Sequence, residues 1–148
     1  MGKAPLLFIL LFSIVTISFA QSNDKDAIAV KKVLAQQTTE WNNGNIASFM
    51  NTYWNNDSLM FIGKGGVTYG WQKTLDNYKK NYPDTAAMGK LQFELLEVKR
   101  LSEIYYFVVG KWHLTRSIGD IGGSFTLLFR KDKNKWVIVA DHSSSTNN

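Results

Sequence analysis

The second half of the chain is dominated by long runs of residues that predict β-strands. Four runs separated by short turn segments follow one another at about residues 91–101, 104–115, 124–131 and 135–143. Connections this short require successive strands to pair antiparallel. The sequence therefore predicts a mainly antiparallel sheet that accounts for most of the second half of the chain.

The last three of these strands are apolar on both faces. In one of them, Tyr105, Phe107 and Val109 share one face, and Tyr106 and Val108 share the other. One face of the sheet can pack on helices, but no further helix is available to cover the other. We therefore expect a homodimer formed through the outer sheet face. The alternative is a monomer with an exposed apolar face.

The first of the four strands changes its pattern halfway along. Apolar residues alternate at Leu91, Phe93 and Leu95, and then continue at Leu96 and Val98. A change of parity inside a strand predicts a β-bulge and a bend.

The first half of the mature chain predicts three helices and one short strand. An apolar stripe at spacings of three and four indicates the first helix. Its members are Ala27, Val30, Leu34, Gln37 and Trp41. Gly44 is placed to end this helix, and Asn45 to cap a second. A short strand at about 59–62, a glycine-rich loop at 63–66 and a third helix at about 71–82 follow.

The first 20 residues have the pattern of a secretory signal. Lys3 precedes the uncharged apolar run Leu6–Phe19, and small residues at positions 18 and 20 favour cleavage after Ala20. A retained membrane anchor is the alternative, although the run is shorter than the roughly 20 apolar residues of a spanning helix. We expect a secreted or periplasmic protein, with residues 21–148 forming one domain that has no membrane association after cleavage.

Composition excludes several kinds of site. The chain of 148 residues has no cysteine, which excludes disulfides, a thiol nucleophile and cysteine-ligated metals. His113 and His142, the two histidines, have no convergent carboxylates, so we expect no metal site. The glycine-rich loop lacks the ending of a phosphate loop, and we expect no cofactor. Asp132 interrupts the basic cluster around Lys131, and this pattern is typical of a tight turn between two strands. We therefore expect no nucleic-acid partner.

The order of these elements resembles the nuclear transport factor 2-like superfamily. The resemblance covers about residues 27–144 and includes the segment 41–45 and Gly70. The closing segment 136–144 resembles the SnoaL-like, ketosteroid-isomerase-like branch of uncharacterised proteins. The resemblance implies an α+β, cystatin-like cone: three N-terminal helices pack on a strongly bent, mainly antiparallel sheet, with a pocket at the open end.

The resemblance alone does not imply an activity, because such folds include both enzymes and binding modules. Ketosteroid isomerases use a carboxylate base, with a tyrosine and a protonated aspartate that stabilise the oxyanion. By this resemblance the base position is Ile62, the tyrosine position is Gln37 and the aspartate position is Leu127. None of these side chains supplies the required group, so we do not expect ketosteroid isomerase chemistry.

Other residues remain candidates for the pocket. The expected ligand-binding set is Gln37, Trp41, Tyr53, Tyr78, Trp112 and His142. Adjacent strand residues point to opposite faces, so Asp141 and His142 do not form a dyad. His142 shares its parity with Trp136 and Ile138 and is expected in the pocket as a candidate general base. Each member of the set also has a purely structural interpretation, as a core or interface residue.

Three functional hypotheses follow. The first is an exported protein that binds a small apolar or aromatic molecule without transforming it. The second is a SnoaL-like isomerase, hydrolase or cyclase that uses His142 as its base, with Tyr53 or Gln37 orienting the substrate. The third is a protein-interaction module that uses the outer sheet face.

Overall fold

The computed structural model describes residues 24–146, so the expected signal at residues 1–20 lies outside the described residues. Its elements are α1 Lys25–Asn42, α2 Ile46–Met50, β1 Met60–Gly63, β2 Gly66–Tyr69, α3 Trp71–Asn81, α4 Thr85–Met88, β3 Lys90–Arg100, β4 Tyr105–Thr115, β5 Ile121–Asp132 and β6 Lys135–Ser143. Within residues 24–146, no helix is long and apolar enough to cross a membrane.

All six strands belong to one sheet, in the order β2-β1-β6-β5-β4-β3. Every pairing is antiparallel except that of β1 with β6. β2 and β3 are the two edges and do not pair with each other, so the sheet is not closed. α1 packs on β3 and β6, and the buried apolar side chains lie between the helices and the sheet. This confirms the predicted α+β class.

The helices begin and end near the predicted residues. Val30, Leu34, Gln37 and Trp41 are the buried residues of α1, which confirms the predicted stripe. The side chain of Asn45 accepts a hydrogen bond from the Ser48 N–H at 3.1 Å and so caps α2 as expected. The short α4 was not predicted, because four residues are too few to show a periodic stripe.

The predicted bulge in β3 is present. Leu95 pairs with Gly110 and Glu97 with Val109, which makes Leu96 the extra residue. Leu96 is 54% exposed, whereas Leu95 and Val98 pack against the core. The parity change in the sequence therefore marks the point at which this strand bends.

A second bulge, in β6, was not predicted. Leu128 of β5 pairs with Ala140 and the next residue, Phe129, pairs with Ile138, so Val139 is the extra residue. This bulge reverses the parity of everything that follows it. Asp141 is buried as a result, and its neighbour His142 is exposed. The prediction that His142 points into the pocket is therefore wrong.

The prediction of a glycine-rich loop at 63–66 is wrong in part, because Gly63 ends β1 and Gly66 begins β2. β2 pairs with β1 in a tight hairpin in which Gly63 faces Gly66 and Phe61 faces Thr68. Gly66 has a φ of 94°, a backbone conformation that glycine adopts without a steric penalty. β2 has only four residues, and an alternating pattern this short does not predict a strand from the sequence.

The outer face of the sheet carries half-buried apolar side chains on its central strands. They are Tyr105, Phe107, Val109, Leu128, Val137 and Val139. Beside them the Arg130 guanidinium lies 4.1 Å from the centre of the Trp54 ring, a cation–π contact. The homodimer through this face stays a prediction.

Candidate functional site: an aromatic cavity with a buried aspartate

A cavity of about 420 Å³ lies between the helices and the concave face of the sheet. Its size is within the roughly 300–1,000 Å³ typical of small-molecule pockets. Nine aromatic side chains contribute to its lining: Trp41, Phe49, Tyr53, Phe61, Tyr78, Tyr82, Phe93, Trp112 and Phe125. The hairpin turn between β1 and β2, the exposed side of α3 and the residues after β6 contribute to the same lining.

The aromatic rings support one another on the helical side of the cavity. The ring centres of Trp41 and Phe49 are 5.2 Å apart, as are those of Phe49 and Tyr78, both in edge-to-face geometry. The indole N–H of Trp41 donates to the carbonyl oxygen of Met88 at 3.0 Å. These contacts fix the wall, so the shape of the cavity is largely set before any ligand binds.

The polar centre of the cavity is the carboxyl group of Asp141. The hydroxyl of Tyr53 donates to Oδ2 of Asp141 at 2.7 Å, and the hydroxyl of Ser143 donates to Oδ1 at 2.9 Å. The hydroxyls of Tyr53 and Tyr78 are 3.4 Å apart. Asp141 is only 4% exposed and Tyr53 only 3%. These residues come from three separate parts of the chain, namely the segment after α2, α3 and β6, and the fold brings them together.

Burial sets the protonation of this group. Removal from water raises the pKa of Asp141 to about 6, although the hydrogen bonds from Tyr53 and Ser143 partly oppose the shift. Burial, together with the nearby Asp141 charge, raises the pKa of the Tyr53 and Tyr78 hydroxyls well above their ordinary value. Both tyrosines therefore keep their protons near neutral pH, and Asp141 is the group that titrates.

Among residues 24–146, Asp141 forms no ion pair, although the charge of the neighbouring His142 acts to lower its pKa. The three ion pairs there join Lys111 to Glu94, His113 to Asp120 and Lys131 to Asp26. The other charged side chain that lines the cavity is the exposed Lys64, at the hairpin turn. The described part of the chain has no group of three or more residues that could hold a metal ion.

Gln37 is a second polar group in the lining. It is 1% exposed, and its side-chain amide donates to the Thr52 hydroxyl at 2.8 Å. That hydroxyl in turn donates to the carbonyl oxygen of Phe49 at 2.7 Å. Gln37 thus has a satisfied donor in the core and also lines the cavity, where its amide can meet a ligand.

Five of the six predicted pocket residues line this one cavity: Gln37, Trp41, Tyr53, Tyr78 and Trp112. His142, the sixth, lies on the opposite face of β6 and is not in the lining. Leu127 lines the cavity, whereas Ile62 does not and its neighbour Phe61 does. Sequence reasoning missed Asp141 as a pocket residue. A single aspartate directly after the apolar run 136–140 was the available signal, but the expected parity pointed it outward.

The arrangement can do two things chemically. The aromatic lining can hold an apolar or planar molecule by excluding water from both surfaces. The Asp141 carboxyl can also exchange a proton or a hydrogen bond with that molecule, because its pKa of about 6 lies close to neutral pH.

Several solved structures share the fold of this chain. An NTF-2 like protein of unknown function from Shewanella oneidensis MR-1 is 42% identical, with 80% of this chain and 98% of that chain covered and a TM-score of 0.78. A ketosteroid isomerase-like protein from Erwinia carotovora atroseptica SCRI1043 is 17% identical (84% and 99% covered, TM-score 0.69). LinA is 12% identical (82% and 86% covered, TM-score 0.68). At these lower identities the likeness concerns the fold alone.

Sequence comparison adds no further relative: no protein-family model matches the chain, and no curated protein is significantly similar to it. The structural neighbours include two proteins described as having a cystatin-like fold. Together they confirm the predicted fold and the resemblance on which it was based.

Proposed function

The chain belongs to the nuclear transport factor 2-like family, and on that premise we propose that it binds a small apolar or aromatic molecule in the cavity beneath its helices. The observation that carries this proposal is the lining of nine aromatic side chains around a space of about 420 Å³. A ligand that buries about 200 Å² of apolar surface gains roughly 5 kcal/mol from leaving water. Part of this is lost to immobilisation of the ligand.

We propose that this binding takes place outside the cytoplasm. The support is the signal-like sequence of the first 20 residues, with its apolar run and small residues before Gln21. We also propose that the protein is a homodimer through the outer sheet face. The support is the apolar character of that face on the central strands. The alternative is the third hypothesis, in which the same outer sheet face binds a different protein.

A fluorescent apolar probe tests the binding proposal. N-phenyl-1-naphthylamine is neutral and brightens when it leaves water, so its titration measures occupancy of an apolar cavity. In Asn77→Trp, a bulky ring would enter the cavity from the exposed side of α3, where Asn77 lines it. We expect affinity for the probe to fall about tenfold or more, a loss of about 1.4 kcal/mol.

The matched control is Lys73→Trp, on the same helix but outside the lining. It adds the same ring to the same element, and we expect it to bind the probe like the wild type. Equal binding by all three proteins would contradict the cavity as the binding site. Native mass spectrometry of residues 21–148 gives the retained ligand and the oligomeric state in one measurement.

A second candidate function is proton-transfer catalysis with Asp141 as general acid or base. The observation that favours it is a carboxyl group held by Tyr53 inside an apolar cavity, with a pKa of about 6. A group that titrates near neutral pH is well matched to moving a proton to or from a bound substrate. In this version of the enzyme hypothesis Asp141 takes the role first assigned to His142. Asp141→Asn should then abolish turnover, and His142→Ala should leave it unchanged.

A further inference from the structure

We propose that the cavity selects an organic cation, a protonated or quaternary amine attached to an apolar or aromatic body. This inference rests on the proposed binding function and adds the charge of the ligand to it. It is carried by two features that occupy the same space: an aromatic lining, and a buried carboxyl group that forms no ion pair within the described chain.

The first feature is the missing countercharge at Asp141. Its two hydrogen bonds come from neutral hydroxyls, those of Tyr53 and Ser143. A carboxylate that is 4% exposed is expensive to ionise without a positive partner. Lys64 lines the cavity but is exposed at the hairpin turn and makes no ion pair with Asp141. A cationic ligand supplies the charge that the fold leaves out.

The second feature is the chemistry of the walls. Aromatic faces carry negative electrostatic potential, and they attract cations by about 0.5–2 kcal/mol or more when water is excluded. The Tyr53 hydroxyl contacts Asp141 and the Tyr78 hydroxyl contacts that of Tyr53, so two of the aromatic side chains lie beside the carboxyl group. An anionic ligand would meet both the rings and the carboxylate unfavourably.

The competing hypothesis is that the same residues bind a neutral ligand. Protonated Asp141 could donate a hydrogen bond to a carbonyl group of such a ligand. The two cases differ in the number of protons bound, because a cation favours ionised Asp141 and a neutral acceptor favours the protonated form. The other ionisable groups around Asp141 are Tyr53, Tyr78, Lys64 and, on the opposite face of β6, His142. Burial raises the pKa of both tyrosine hydroxyls well above their ordinary value, so the tyrosines keep their protons between pH 5 and 7.5.

Two probes of the same shape separate these cases. (3-Hydroxyphenyl)trimethylammonium carries a permanent charge, and 3-tert-butylphenol is its neutral isostere. We expect wild-type protein to bind the cation at least about tenfold more tightly at pH 7.5. Affinity for the cation should fall as the pH is lowered through about 6, with proton release on binding below that pH. Affinity for the neutral isostere should not fall.

Asp141→Asn keeps the shape of the side chain and removes its charge. We expect it to lose the preference for the cation and to keep its affinity for the neutral isostere, which also shows that the variant is folded. Asp120→Asn is the control, because it removes an exposed carboxylate that pairs with His113 outside the cavity. It should keep the wild-type preference. Proton release, measured calorimetrically on the wild type in two buffers, needs no variant.

The possible failures are distinguishable. Equal or tighter binding of the neutral isostere by the wild type would overturn the cation inference and leave the binding function standing. So would binding of N-phenyl-1-naphthylamine without binding of either phenol-based probe. Absence of binding by all three probes would overturn the proposed function and the inference together.

Discussion

The hydroxyl of Tyr53 and the carboxyl of Asp141 form a 2.7 Å hydrogen bond between residues 88 positions apart in the chain. The backbone holds the same two segments together, since Trp54 N–H donates to the Ile138 carbonyl and Ile138 N–H to the Thr52 carbonyl. The position of Tyr53 against β6 is therefore fixed by both its backbone and its side chain. Any ligand in the cavity meets a polar centre that is already assembled.

Tyr53→Phe removes the hydroxyl and keeps the ring. Because the hydrogen bond from Tyr53 lowers the pKa of Asp141, its loss should move that pKa above about 6. At low pH, with Asp141 protonated, the free energy of unfolding should drop by about 1 kcal/mol, as for one hydrogen bond. Carbon-13 NMR titration of the Asp141 carboxyl group and urea unfolding measure the two effects.

Tyr82→Phe is the matched control for this change. Tyr82 also lines the cavity, but its hydroxyl has no hydrogen bond to Asp141 in the described structure. It should leave the Asp141 titration where it is. An identical shift in both variants would mean that Tyr53 does not act through its hydrogen bond.

Asp141→Asn should change how stability depends on pH. The folded-state pKa of Asp141 is raised from 3.8 to about 6, so its contribution to the free energy of unfolding is full below pH 3.8 and is lost as the pH rises through 6. The difference corresponds to roughly 3 kcal/mol. Asparagine does not titrate, so the variant should gain about that much relative to the wild type between about pH 4 and 7. Urea midpoints across that range measure it.

Asp120→Asn should show the opposite trend. The backbone hydrogen bond from Arg116 and the contact with His113 hold the pKa of Asp120 below its ordinary value. Its stabilisation is therefore present above that ordinary pKa and is lost as the pH falls. The Asp120→Asn variant should gain on the wild type toward low pH. If the stabilities of both variants follow the same trend with pH, burial does not raise the pKa of the Asp141 carboxyl group.

Gly123→Ala should destabilise the rim of the cavity. A Cβ at Gly123 would lie 1.9 Å from the carbonyl oxygen of Ser144, so the segment after β6 must move. We expect the free energy of unfolding to fall by about 1–3 kcal/mol, as for other overpacked sites. Gly65→Ala is the control, because a Cβ there meets nothing within 4 Å. Equal urea midpoints for the two variants would contradict the close approach.

Leu128→Glu tests the proposed dimer. Leu128 is half-buried on the outer face of β5, and burying a carboxylate without a partner at an interface costs several kcal/mol. Sedimentation velocity should give a dimer for the wild type and a monomer for the variant. Lys73→Glu, on the exposed side of α3, should remain dimeric. A wild-type monomer at every concentration would end the dimer proposal.

The sequence was sufficient to predict most of the helical contribution to the site. Gln37 and Trp41 follow from the apolar stripe of α1, and Tyr78 from the stripe of α3, since a helix period of 3.6 residues fixes which side chains share a face. Phe61, Phe93 and Phe125 were not predicted in the lining. Each lies on a strand, and which face of a strand borders a cavity depends on where the helices pack.

The sequence by itself determined the order of the main elements, the faces of the helices and the bend in β3, because these depend on residues close together in the chain. The tertiary structure decided which of two neighbouring residues enters the cavity. Alternation from Trp136 alone predicts His142, but the Val139 bulge brings in Asp141. That bulge depends on how β6 aligns with β5 on one side and with β1 on the other. Strand alignment is a non-local property, set when distant segments pack together.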